Sequence, residues 1–447
     1  LFRPHTNTHD TQAKHTIKHK QANTQTYTYT HTYIMSSNSD NNVPKVEGSE
    51  FYEYSVIYTD RAMNLMASPF RQCMRDISAS LKRAYNCSSV AIIPGSGTYG
   101  MEAIARQFGT NKKCLVIRNG YFSFRWSDIF NVTQIPKGKE TVLMASPINS
   151  DSNNNKMSAF APMDIDKVCS IITTEKPDAV FLPHVETSTG ILLPDSYIKR
   201  VADAAHKYGS VVIVDAIAAG TIWLDMKATG VDVCLSAPQK GWSGPACCAF
   251  VMLNKRARKI TKDPTRQPRN TSFCCNLMQW LDVMEQYENI NGDGPGFKYY
   301  TTLPTDALMK VRDAINETEA FGFDNAKEKC FQLGKEIRRV LLKHGYPSLA
   351  APRFEAPGVV VSYSNMPAGT NMVKKFKSVG IQIAGGVPLK LDEDTKYGID
   401  TKASTFRIGL FGLDKIKNIH EVVKRLDNAI SKLKSGSHHT SLSHSKI

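Results

Sequence analysis

The chain has no C-x-x-C pair, although it carries 10 cysteines, so redox-motif and zinc-ligand spacing are both absent. The cysteines are expected to be buried thiols of a reducing compartment. No apolar run reaches the roughly 18 residues that a membrane helix requires, and no internal repeat is apparent. Acidic residues are fewer than basic ones, 41 against 56, which leaves a formal net charge of +15. The basic residues are scattered, with only brief clusters such as Lys255-Arg-Ala-Arg-Lys259. Nucleic-acid recognition would need a stripe or patch, so no nucleic-acid partner is expected, and none in a membrane. A diffuse positive field suits an enzyme whose cofactor and substrates are anions.

Aliphatic residues are nearly missing from residues 1–50, which are rich in Thr, His and Asn. Such a segment cannot offset the entropy of ordering and is expected to be disordered. The first methionine is Met35, which makes translated upstream sequence the expected origin of what precedes it. A transit peptide is the alternative, opposed by the near lack of arginine and of apolar periodicity. Residues 435–447 read as a second flexible tail. The terminal Ser445-Lys446-Ile447 is one aliphatic swap from the Ser-Lys-Leu peroxisomal address, so peroxisome or cytoplasm is expected before mitochondrion.

At 447 residues the chain is long enough for one large domain and a smaller one. Val90–Ile93, Cys114–Ile117, Ala179–Leu182, Val211–Val214, Val233–Leu235 and Ala249–Leu253 are β-branched or aliphatic runs bounded by Gly and Pro, the pattern of buried strands. Met101–Phe108 and Asp195–Tyr208 read as intervening helices, the latter with Ile198, Val201 and Ala205 on one face. Alternating strands and helices imply an α/β fold, a mostly parallel sheet covered on both faces, with ligands beyond the strands' carboxyl ends. From Leu303 the pattern changes: helices over Thr305–Glu319 and Asn325–Lys343, strands at Val359–Tyr363 and Thr405–Leu410, and a helix over Ile416–Leu433. The expected organisation is a large domain over 51–320 and a small C-terminal α+β domain over 321–434.

Two polar islands at strand ends carry the chemistry. Asp215 follows Val211-Val-Ile-Val214, and Lys240 lies in Leu235-Ser-Ala-Pro-Gln-Lys-Gly-Trp-Ser-Gly-Pro245. A lysine that forms an imine and an aspartate that keeps a ring nitrogen protonated are what a pyridoxal phosphate enzyme needs. A helix cap or ion pair would also explain Asp215, and a surface position would explain Lys240. Aliphatic runs on both sides of Lys240 favour a deep location, where its ammonium would lose its proton more readily. Gly95-Ser-Gly-Thr-Tyr-Gly100 follows a strand and opens a helix, a setting for a phosphate. It also spells G-x-G-x-x-G, so a nicotinamide dinucleotide site on Gly95, Gly97 and Gly100 is the rival. That rival wants an acid some 20 residues on, and Arg118–Arg125 supplies none. Glu186-Thr-Ser-Thr-Gly190 offers hydroxyls to a phenolate or phosphate oxygen. Arg407, in Phe406-Arg-Ile-Gly409, fits a carboxylate clamp or a structural ion pair equally.

Pro94-Gly-Ser-Gly-Thr98, Asn119-Gly120, Val185-Glu-Thr-Ser-Thr-Gly190, Val214-Asp215, Gln239-Lys240, Tyr299-Tyr-Thr-Thr302 and Phe406-Arg-Ile-Gly409, taken in order, closely resemble the class V, fold type I pyridoxal phosphate aminotransferases, nearest to the alanine–glyoxylate and serine–pyruvate enzymes. The resemblance spans about residues 55 to 433 and implies pyridoxal 5'-phosphate as cofactor and a homodimer. By the same resemblance Lys240 would be the Schiff-base lysine and proton carrier, and Asp215 would pair with the ring nitrogen. Phe122 would stack on one ring face and Ile217 press on the other, with Thr187 at the phenolic oxygen. Ser96, Gly97, Thr98 and Gln239 would hold the phosphate, joined by Tyr299 and Thr302 of the second subunit. Arg407 would bind the α-carboxylate of an amino acid such as alanine or serine and of a 2-oxo acid such as glyoxylate or pyruvate.

The resemblance has gaps. The family's Gly- and Pro-rich substrate loop is not evident in Asp60–Ser68, and Pro238 stands where small hydroxyl residues are common. Cysteine desulfurases share the architecture but usually have histidines where Phe122 and Gln239 stand. A 2-aminoethylphosphonate–pyruvate transaminase is the nearest rival; a nicotinamide oxidoreductase and a non-catalytic scaffold are rivals from other classes.

Overall fold

All six aliphatic runs become strands of one sheet in the computed structural model, which describes residues 52, 54, 62–148, 157–266, 268, 271–290, 296–367, 370–392 and 400–438. The expected disordered segment 1–50 and the Ser445–Ile447 terminus lie outside the described residues. The strands are β1 (Ser89–Pro94), β2 (Cys114–Arg118), β3 (Thr141–Met144), β4 (Ala179–Pro183), β5 (Val211–Asp215), β6 (Val233–Ser236) and β7 (Cys248–Leu253), in spatial order β1-β7-β6-β5-β4-β2-β3. Neighbours run parallel except β7, which is antiparallel to both β1 and β6. Every residue of β4 and β7 is buried, so both faces of the sheet are covered and no in–out alternation survives. The fold is a mostly parallel α/β sheet, as the alternation predicts.

Edge strand β3 and helix α1 (Ser68–Tyr85) are among the elements that were not foreseen. Strand β3 is only half-buried. Helix α1 buries Phe70, Cys73, Met74, Ile77, Leu81 and Tyr85 at three- and four-residue intervals, one apolar stripe, and stops at Asn86 in the left-handed region, φ 52°. Helix α2 (Gly97–Gly109) packs on β6 and β7. The approach is close because Gly100 has no side chain; a Cβ there would stand 2.7 Å from the Cβ of Ala249. Helices α3 (Arg125–Thr133) and α4 (Asp195–His206) follow β2 and the residues after β4, and Ile198, Val201 and Ala205 of α4 are fully buried.

Beyond residue 300, α5 (Thr305–Phe321) and α6 (Phe323–Lys343) precede a small antiparallel sheet of β8 (Val359–Tyr363), β9 (Ala384–Gly385) and β10 (Thr405–Gly409), with β10 in the middle. Helix α7 (Ile419–His438) follows and takes in the first residues of the expected tail at 435–447. No described helix is long and apolar enough to cross a membrane. All ten cysteines are free; six are buried and three half-buried, while Cys274 is exposed, which corrects the expectation that they are uniformly buried.

Candidate active site

Strand direction gathers the polar islands at one end of the sheet. Strand β1 is antiparallel to β7, and β7 to β6, so β1 points the same way as β4, β5 and β6. The glycine loop after Pro94, the loop after Pro183, Asp215 and the Ala237–Cys247 connection therefore all leave the same edge. There a cleft of about 500 Å³ opens, and ten of the twelve sequence-predicted site residues line it: Ser96, Gly97 and Thr98; Phe122; Thr187; Asp215 and Ile217; Gln239 and Lys240; and Arg407. Tyr299 and Thr302 are outside the lining, and Tyr299 is 64% exposed.

The glycine loop sits at the end of β1, an edge strand whose one neighbour among the described residues is the antiparallel β7. A dinucleotide fold needs this loop at the crossover of a central parallel strand. The nicotinamide reading of Gly95, Gly97 and Gly100 is thereby corrected.

Asp215 ends β5 and uses Oδ1 to accept the backbone N–H of Ile217 at 2.9 Å, with no cation within ion-pair distance among the described residues. Burial pushes its carboxyl up to about 6, opposed by the Ile217 N–H; nearby Glu186 raises it further and Arg125 lowers it. Such a group is poised to receive a charged N–H donor.

Lys240 is held by what flanks it. Trp242 is fully buried and stacks on Trp223 at 4.3 Å between ring centres, with Tyr85 and Phe323 completing the aromatic cluster. Gly241 passes so close to Gly220 that a Cβ would lie 1.9 Å from its carbonyl oxygen, so only glycine fits. The Gly244 N–H donates to the Pro238 carbonyl at 2.9 Å and closes the turn. Lys240 itself is half-buried, less deep than its aliphatic flanks imply. Burial, and then the charges of Arg407 and Arg125, lower its ammonium's affinity for a proton. No carboxylate lies within ion-pair distance among the described residues, so the amine faces the cleft free to react.

The loop at Glu186–Gly190 differs from expectation. Glu186 is fully buried, and its carboxylate accepts the N–H groups of Phe122 (3.1 Å), Ser123 (2.8 Å) and Ser188 (3.0 Å) and the hydroxyls of Ser123 and Ser188, both at 2.7 Å. The Thr189 hydroxyl donates to the Asn119 carbonyl at 3.0 Å. Two of the three hydroxyls expected to face a ligand are thus spent inside the protein, and Thr187 alone reaches the cleft. What the sequence concealed is Glu186, a five-donor hub that fixes the backbone under Phe122.

Arg407 sits at the centre of the small sheet and donates Nε–H to the Gly385 carbonyl at 2.8 Å. It pairs with no carboxylate among the described residues, which removes the structural ion-pair reading. Its two terminal nitrogens remain for a planar acid. Ala384, Ile408 and Phe411 form apolar walls beside it. Phe411 and Arg125 also line the cleft and were not foreseen: Arg125 opens α3, and Phe411 follows the small sheet's middle strand, so only tertiary structure brings them in. The Gln239 side-chain oxygen is buried without a partner among the described residues, as expected of an amide awaiting a ligand.

An amine, a half-buried carboxylate that accepts one backbone N–H and meets no cation among the described residues, a glycine loop with hydroxyls and a guanidinium fork could together hold an aldehyde, a cationic ring N–H, a phosphate and a carboxylate. The chain is 24% identical over 379 residues to alanine–glyoxylate aminotransferase 1 of Saccharomyces cerevisiae, covering 80% of this chain and 89% of that one. It is 24% identical over 369 residues to the 2-aminoethylphosphonate–pyruvate transaminase of Syntrophobacter fumaroxidans, covering 80% and 87%. Among solved structures, the alanine–glyoxylate aminotransferase of Nostoc sp. superposes with a TM-score of 0.66 at 18% identity, covering 83% of this chain and 88% of that one. The aminotransferase class-V family model matches residues 46–360, and the chain belongs to that family.

Proposed function

We propose that this aminotransferase uses pyridoxal 5'-phosphate to move an amino group from a small amino acid, alanine or serine, to glyoxylate or pyruvate. The observation that carries the reading is that Lys240, Asp215 and Arg407 open onto one cleft with no carboxylate within ion-pair distance of either cation among the described residues. Lys240 would hold the cofactor's aldehyde and, once released by the donor, move the proton at the donor's Cα. Asp215 would keep the ring nitrogen protonated, between Phe122 on one ring face and Ile217 on the other, with Thr187 at the phenolic oxygen. Ser96, Gly97, Thr98 and Gln239 would bind the phosphate, together with the partner subunit's Tyr299 and Thr302 in a homodimer. When bound, the cofactor supplies an electron sink for the pair left by the departing proton. Arg407 would orient the carboxylate of both amino donor and oxo acid, and the apolar walls of Ala384, Ile408 and Phe411 suit a small uncharged side chain.

A donor panel tests this: kcat/KM with alanine and serine should exceed that with 2-aminoethylphosphonate, using glyoxylate and pyruvate as acceptors. A preference for the phosphonate would assign the enzyme to the other branch.

Asp215 provides a second test, because its ionised form is costly in the folded protein. Above about pH 6 the folded carboxylate is ionised and the cost is fully present; below about pH 4 it is neutral in both folded and unfolded chains and the cost is gone. In cofactor-free protein Asp215→Asn should therefore add about 2–3 kcal/mol of stability at pH 8 and almost none at pH 4. The same substitution should weaken cofactor binding and activity, the pattern of a strained site residue. Urea denaturation at the two pH values checks it.

A further inference from the structure

The phosphate groups named above share one property: Ser96, Gly97, Thr98 and Gln239 are uncharged, as are Tyr299 and Thr302. A phosphate monoester carries about −1.5 to −2 charges at neutral pH, more than a helix terminus, worth roughly half a charge, can balance. Three cations line the cleft: Lys240, Arg407 and Arg125. Lys240 is committed to the aldehyde, and Arg407 is tied to the Gly385 carbonyl of the small sheet. Arg125 points at the glycine loop. Its Nη1–H donates to the Thr98 hydroxyl at 3.2 Å, and its guanidinium lies over Phe122 at 5.6 Å from the ring centre. It makes no ion pair with a carboxylate among the described residues, while its positive charge is felt at both Lys240 and Asp215.

We propose that Arg125 binds the cofactor's phosphate and supplies the positive charge that the glycine loop lacks. The cation–π contact with Phe122 holds the guanidinium near the loop, and one of its nitrogens already sits on a loop hydroxyl. The inference rests on the pyridoxal phosphate reading and adds to it: Arg125 makes the site select the phosphorylated vitamer over pyridoxal. It also leaves the substrate end of the cleft with a single guanidinium, consistent with a donor that has one acidic group.

The test uses the full chain stripped of cofactor and titrated separately with pyridoxal phosphate and pyridoxal, binding being followed by absorbance and tryptophan quenching. Wild type should prefer the phosphorylated compound. Arg125→Gln should raise the Kd for pyridoxal phosphate about tenfold or more and leave that for pyridoxal unchanged. Arg125→Lys, which keeps the charge but not the fork, should recover part of the preference. It also serves if the glutamine variant melts early by circular dichroism. If both variants keep the full preference for the phosphorylated compound, the proposal is overturned. It is equally overturned if Arg125→Gln raises KM for 2-aminoethylphosphonate or aspartate instead, which would place Arg125 in the substrate pocket. Wild-type protein that binds neither compound would overturn the pyridoxal phosphate reading itself.

Discussion

Lys240→Ala is expected to lower kcat by at least about 10⁴-fold, because on the proposed reading one nitrogen performs two tasks, covalent attachment and general-base proton transfer. The loss should not come from unfolding. The loop is pinned by Trp242 in its aromatic cluster and by the close passage of Gly241 over Gly220, neither of which involves the lysine side chain. Thermal denaturation should therefore match wild type, while borohydride reduction and peptide mass analysis should find the cofactor fixed at Lys240 in wild type and absent from the variant. Turnover above about a hundredth of wild type would remove Lys240 from the chemistry, since losing a general base alone costs about 10²-fold or more.

Arg407→Gln should raise KM for the amino donor and for the oxo acid together and lower kcat/KM by about 10²–10³-fold, or 3–4 kcal/mol. On the proposed reading both half-reactions suffer, because the two substrates would present the same carboxylate to the same fork. Nε is already committed to the Gly385 carbonyl, so the guanidinium plane is set before substrate arrives. Arg407→Lys keeps the charge but neither the plane nor the Gly385 tether, and should restore only part of the loss. Steady-state kinetics with alanine and glyoxylate varied in turn checks both variants; unchanged kinetics would take Arg407 out of the site.

The central sheet was legible because strands covered on both faces must be continuously aliphatic, and Val211-Val-Ile-Val214 or Ala249–Leu253 can hardly be anything else. Strand direction was not legible. Strand β7 is as fully buried as its parallel neighbours, and burial pattern carries no sign of polarity. The half-buried β3 lacks that pattern. Helix α1 carries it at helical spacing, but diluted by Arg71, Arg75, Lys82 and Arg83 on its other side. At the site, Lys240 and Asp215 stood out as polar residues directly after apolar strands. Glu186 was visible, but its role was not: a carboxylate that gathers five donors from two loops more than 60 residues apart has no local signature. Arg125 and Phe411 stand close in sequence to Phe122 and Arg407, but nothing in their local pattern marks them as cleft residues.

Strand β1 has one partner among the described residues, β7, and the two are separated by more than 150 residues of chain. Ser89 must wait for Leu253 before its ladder can close, so the glycine loop has no fixed platform while the intervening segment is still emerging from the ribosome. The glycine-loop half and the amine-bearing half of the cleft are consequently expected to come together in a late, long-range docking event. On the proposed pyridoxal phosphate reading, a nascent chain halted before Cys248 should not capture the vitamin, whereas one extended past Leu253 gains the pairing that brings the two halves together.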